Sequence, residues 1–77
     1  MDFSAGEFEK ALTCFNSIIN SNPDYLAAYY QTGKCYEELR QFKEAQRIYK
    51  KGIELAERQN KTKTLNELRE ALFLLED

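Results

Sequence analysis

The stretch YYQTGKCYEELRQF, residues 29–42, decides the fold of this chain. Its apolar residues recur at helical spacing, yet Gly33 lies in the middle of the pattern. A glycine inside a helix is unfavourable by about 1 kcal/mol relative to alanine. The fold must therefore require that this position carry no side chain.

Composition and charge narrow the class of protein. The 77 residues make one small domain at most. The formal net charge is −2, with both signs mixed along the chain, which argues against nucleic-acid and membrane partners. No apolar run approaches the ~18 residues of a membrane span. The start, MDFSAGEFEK, has no apolar core and does not resemble a secretory signal.

The two cysteines, Cys14 and Cys35, are too few for a disulfide scaffold and lack the spacing of metal ligands. We interpret them as small apolar residues of the core. These features together predict a reduced, cytoplasmic protein with no metal and no cofactor.

Helical periodicity begins near the start of the chain. Residues 4–7, SAGE, have the form of a capping box, in which a serine hydroxyl and a glutamate satisfy the first free amides of a helix. That helix is predicted to end at residues 20–22. Asn22 and Pro23 are then expected to open a second helix, as its cap and its first-turn proline.

Two further helices complete the pattern, and the fold class is all-α. A short break at Arg40 and Gln41 precedes a third helix, which we expect to continue through Ala56 toward Arg58. Residues 59–63 are predicted to be a loop. Residues 64–67, TLNE, form a second capping box before the apolar stripe of the last helix: Leu65, Leu68, Leu72 and Leu75.

A shift of 34 residues aligns the first helix with the third, so that Phe8 meets Phe42 and Ala11 meets Ala45. This period and pattern resemble the tetratricopeptide repeat, W-x2-L-G-x2-Y followed by A-x3-F and P. The positions of the pattern are occupied by Tyr29, Gly33, Tyr36, Ala45 and Tyr49, with Pro23 closing the preceding copy.

The resemblance implies a reason for Gly33. In this family two antiparallel helices cross closely at the glycine and alanine positions, and large rings fill the space around them. Burial of each ring is worth ~1.5–3 kcal/mol, which outweighs the helix-propensity loss. Gly52 is expected to play the same part against the following helix. Thr32 departs from the pattern at the usual leucine, and Glu57 at the usual proline.

The predicted architecture is an α-solenoid of about one and a half repeats with a C-terminal capping helix. Residues 1–21 supply the second helix of a truncated repeat, 22–59 a complete helix pair, and 60–77 the loop and the cap. A cap at the end of a stack is expected to have a polar outer face.

The resemblance also implies a binding surface, since the first helix of each pair lines a concave groove in this family. The face of the second helix expected there could be a solvated surface or a site for a protein or peptide, and the sequence leaves both open. The same two alternatives, packing and binding, apply to Tyr25 and Tyr30. The candidate groove residues are Ala27, Tyr30, Gln31, Lys34, Glu37 and Glu38.

The first helix suggests a second surface, because part of its apolar face lacks a predicted partner helix. Such a face usually marks an interface, and we expect it to dock either onto a second copy, giving a homodimer, or onto an upstream helix. The residues of this face are Phe3, Phe8, Ala11, Phe15 and Ile18.

With no histidine and no nucleophile beside a base, catalysis is not expected. The predicted function is a non-catalytic protein–protein interaction module; the alternative is a structural segment of a longer solenoid or a self-assembling unit.

Overall fold

The described part of the chain forms four α-helices joined by short turns. The structure, a computed structural model, describes residues 5–76. The helices are α1 (Ala5–Ser21), α2 (Leu26–Glu38), α3 (Phe42–Gln59) and α4 (Thr62–Leu75), and the described residues contain no strand. Each helix packs on the next one in the chain. The all-α helical repeat predicted from the sequence is confirmed.

The second helix begins at Leu26, so the prediction that Asn22 and Pro23 open it is wrong. The amide of Tyr25 donates to the carbonyl of Asn22 at 3.0 Å, which closes a turn before the helix starts. Asn at the first position and Pro at the second favour such a β-turn. The pair Asn22–Pro23 therefore indicates a β-turn and not the start of a helix.

Two side chains hold this turn from outside it. The hydroxyl of Tyr29 donates to the carbonyl of Pro23 at 2.8 Å. The side-chain amide of Gln59 donates to the carbonyl of Asp24 at 2.8 Å. The turn between α1 and α2 is thus connected to both α2 and α3.

The last helix, in contrast, begins earlier than predicted. Its cap position is Lys61, and no side chain caps it, so Thr64 lies inside α4 and does not open the helix. The change of direction is completed by Asn60, whose φ of 58° lies in the left-handed region. The third helix runs to Gln59, as predicted from the missing proline. Ser4 of the other proposed capping box lies outside the described residues.

The break after α2 contains a left-handed residue that is not glycine. Arg40 has a φ of 61°. Its amide donates to the carbonyl of Glu37 at 2.9 Å, and the amide of Gln41 donates to that of Tyr36 at 2.8 Å. This pair of bonds is a Schellman motif, in which glycine is the usual residue at the left-handed position.

The core centres on the contact between Gly33 and Tyr49. A Cβ atom at Gly33 would lie only 2.2 Å from Cε1 of the Tyr49 ring. Tyr49 itself is fully buried. The missing side chain therefore makes room for a tyrosine ring of α3. At Gly52 a Cβ atom would lie 3.1 Å from both Leu68 and Tyr29, so this glycine lets α4 approach α3 closely.

One core position is chemically unsatisfied. Thr32 is fully buried, and its hydroxyl has no hydrogen-bond partner among the described residues. A buried polar group without a partner costs ~1–3 kcal/mol. Thr32 is the position at which the repeat pattern has leucine, so the departure from the pattern has an energetic cost.

We expect Gly33→Ala to lower the free energy of unfolding by at least about 1 kcal/mol. The added methyl group would displace a buried ring, and overpacking of this kind typically costs 1–3 kcal/mol. Gly6→Ala is the matched control, because Gly6 lies exposed in α1. That variant should be neutral or more stable by up to ~1 kcal/mol. Urea denaturation measures both, and coincident midpoints would contradict the tight contact with Tyr49.

Arg40→Gly should stabilise the fold by about 0.5–1 kcal/mol. It relieves a left-handed conformation that is unfavourable by ~1–2 kcal/mol for residues with a Cβ atom, and the flexibility of glycine in the unfolded chain offsets part of the gain. Lys50→Gly, in the exposed interior of α3, should instead destabilise by about 1 kcal/mol. Thermal unfolding of the pair tests this prediction, which fails if Arg40→Gly melts at or below the wild-type temperature.

Candidate functional site

A shallow groove lies between α2 and α4, both of which pack on α3. Its cavity measures about 140 Å³. We call it the α2–α4 groove. It is lined by Tyr30 and Lys34 of α2 and by Glu67, Glu70, Ala71 and Leu74 of α4.

Tyr30 belongs both to the groove and to the core. It is half-buried and packs against the core cluster. Its ring centroid lies 6.3 Å from that of Tyr49, with the planes tilted by 41°. The Nζ atom of Lys34 lies 5.4 Å from the Tyr30 centroid, within the range of a cation–π contact. The side of the Tyr30 ring that is not packed on the core therefore faces the groove.

Glu37 is engaged within the chain. Its carboxylate accepts a hydrogen bond from the buried hydroxyl of Tyr49. Lys34 lies nearby, with its Nζ atom 3.9 Å from Oε2 of Glu37. Burial, and then the bond to Glu37, raise the pKa of the Tyr49 phenol, so this residue remains a hydrogen-bond donor at ordinary pH.

The structure divides the predicted groove residues between two surfaces. Tyr30 and Lys34 face α4, whereas Ala27 and Gln31 line a separate cavity of about 90 Å³ against α1. Glu38 is exposed at the end of α2. The six predicted residues therefore do not form one continuous site.

Glu38 affects the neighbouring Cys35 thiol. Burial of the Cys35 thiol raises its pKa, and the charge of Glu38 raises it further.

The predicted self-association face is partly covered by α2. Its four described residues, on α1, are all half-buried. Phe8 and Ala11 border a cavity of about 250 Å³ beside Cys35. Phe15 and Ile18 border the cavity that also contains Ala27 and Gln31. Phe3 lies outside the described residues.

Sequence reasoning missed the contribution of α4. Leu74 is 72% exposed and Phe73 is 74% exposed. The expected polar outer face is present at Asn66, Glu67, Arg69 and Glu70, but the C-terminal end of the helix is apolar and exposed. The signal was the apolar run ALFLL, residues 71–75, because five consecutive helical residues cannot all face one neighbour. Phe42, at the start of α3, is also 42% exposed.

Clusters of metal-binding side chains, membrane-spanning helices and paired cysteines are absent from the described residues. Among residues 5–76 no three acidic, histidine or cysteine side chains are grouped so that they could hold a metal ion. No helix in that range has the length and apolar character needed to cross a membrane. Both cysteines are free thiols; Cys35 is buried as predicted, whereas Cys14 is exposed, so the prediction that it lies in the core is wrong.

Comparison with known proteins identifies the family. The tetratricopeptide repeat family model matches residues 2–61, and the chain belongs to this family. The match ends just before α4. The fold indicates a protein-interaction or scaffold module, in a family that is generally non-catalytic.

Solved structures of a tetratricopeptide repeat domain protein from Salinibacter ruber are similar to this chain. The solution NMR structure is 36% identical with a TM-score of 0.86, and the alignment covers 91% of this chain and 71% of that one. The crystal structure is 35% identical with a TM-score of 0.83, covering 88% of this chain and 76% of that one. Comparison with curated proteins gave no match.

Proposed function

We propose that this chain is a non-catalytic interaction module that binds a peptide or protein partner in the α2–α4 groove. The observation that carries the proposal is the pairing of an exposed apolar side chain, Leu74, with the half-buried Tyr30 ring across the groove. Apolar and aromatic anchors beside polar side chains are typical of protein-binding surfaces.

The size of the groove supports a macromolecular partner. Its volume of about 140 Å³ is below the ~300–1,000 Å³ of small-molecule pockets. A space of that size accommodates one or two side chains of a longer segment. The partner would then extend beyond the groove along the helices that line it.

Two ionisable groups of α2, Glu37 and Cys35, support a non-catalytic role. Glu37 is held by Tyr49 and Lys34. The raised pKa of Cys35 disfavours the thiolate, which is the reactive form of cysteine. We also propose a cytoplasmic location, in keeping with two free cysteines.

We expect Leu74→Ser to weaken partner capture strongly and to leave thermal stability nearly unchanged, because Leu74 lies in the groove and is largely exposed. Phe73→Ser is the matched control: Phe73 is adjacent and equally exposed, but it does not line the groove. Affinity capture with quantitative mass spectrometry compares the two variants with wild type. Equal capture by wild type and Leu74→Ser would refute the proposed site.

The second candidate is a scaffold or self-assembling role. The specific observation that favours it is a further open cavity, lined by Phe42, Lys43, Gln46, Leu74 and Leu75, where α3 begins and α4 ends. With the half-buried face of α1, this cavity gives the chain two apolar surfaces that a repeat stack could cover.

If this second candidate is correct, the mean mass in solution should rise with protein concentration. Phe42→Ser should reduce the rise, because Phe42 lines the open cavity but not the α2–α4 groove. Light scattering across a concentration series measures the mass. A constant monomer mass would exclude self-association and leave the peptide-binding proposal standing.

A further inference from the structure

Among the described residues, the groove is lined by one cationic side chain, Lys34, and its charge is already paired within the chain. The Nζ atom of Lys34 lies 3.9 Å from the Glu37 carboxylate and 5.4 Å from the centre of the Tyr30 ring. Both partners belong to α2, as does Lys34. This lysine is therefore poorly placed to bind an acidic partner without losing contacts that it already has.

The opposite wall of the groove carries two carboxylates without cations. Glu67 and Glu70 are exposed, line the groove and lie three residues apart on α4, so they share one face. Neither forms an ion pair with another residue of the described range 5–76. The one arginine of α4, Arg69, is directed to Glu57 of α3 at 3.2 Å. The open charge of the groove is negative.

Apolar surface lies directly beside these carboxylates. Ala71 and Leu74 follow Glu67 and Glu70 at helical spacing along the same wall, and Tyr30 faces them from α2. A lysine or arginine side chain suits such a surface, because its apolar stem can pack while its charged end reaches a carboxylate. An arginine could also stack on the tyrosine ring.

We propose that the partner of the α2–α4 groove is a basic segment, in which a lysine or arginine lies next to an apolar residue. The basic side chain pairs with Glu67 and Glu70, and the apolar one packs on Leu74. This inference rests on the proposed function, since it assigns the chemistry of the ligand for the same groove.

Selection from a displayed library of random peptides about twelve residues long tests the inference. Peptides selected on the wild-type protein should be enriched in lysine or arginine beside leucine or phenylalanine. The consensus peptide should bind the double variant Glu67→Gln/Glu70→Gln about fivefold more weakly, the effect of losing two exposed ion pairs. Its affinity should also fall between about 50 and 300 mM salt.

The matched control Glu9→Gln/Glu54→Gln removes the same charge from exposed positions that do not line the groove, and it should bind the consensus peptide as the wild type does. Peptides enriched in acidic residues, or without charge preference, would overturn the basic-ligand inference. If their binding is lost in Leu74→Ser but kept in Phe42→Ser, which alters only the other cavity that Leu74 lines, the groove itself stands. Basic peptides that bind the groove double variant equally well would also overturn it. Enrichment no greater than on Leu74→Ser would overturn both the inference and the proposed function.

Discussion

The contact between Gly33 and the Tyr49 ring is the constraint on which the rest of the structure depends. Since α2 carries no side chain at this position, a complete tyrosine ring fits between α2 and α3. The hydroxyl of that ring reaches Glu37, and its face supports Tyr30. Lys34 then lies against Tyr30. The position of the groove wall on α2 thus follows from a missing side chain in the core.

The fold was predictable because it depends on periodicity and on the sizes of a few residues. The 34-residue shift, the glycine at residue 33 and the small residues of α3 all relate to contacts between helices. The ends of the helices were less predictable, because turn and cap signals overlap. Asn22 and Pro23 suit a β-turn as well as a helix start. Arg40 adopts a left-handed conformation, which the sequence does not predict because arginine does not favour it.

The candidate site was predictable only on one side. Periodicity along α2 identified Tyr30 and Lys34 as outward-facing, but it could not divide them from Ala27 and Gln31, which face a different neighbour. That division depends on where α1 and α4 lie on either side of α2. The contribution of α4 depends on its contact with α3, where Leu68 packs against Gly52. That contact sets the orientation of α4, in which Glu67, Glu70 and Leu74 face the groove.

The turn between α1 and α2 has a mechanical consequence. Its carbonyls at Pro23 and Asp24 accept bonds from Tyr29 and Gln59, which belong to two different helices. A turn fixed at two points resists twisting, so the angle at which α1 leaves the helix pair is set by polar contacts as well as by apolar packing. In a stack of such units, bonds of this kind would contribute to the rotation between successive repeats, and a small change repeated at each unit would alter the curvature of the array.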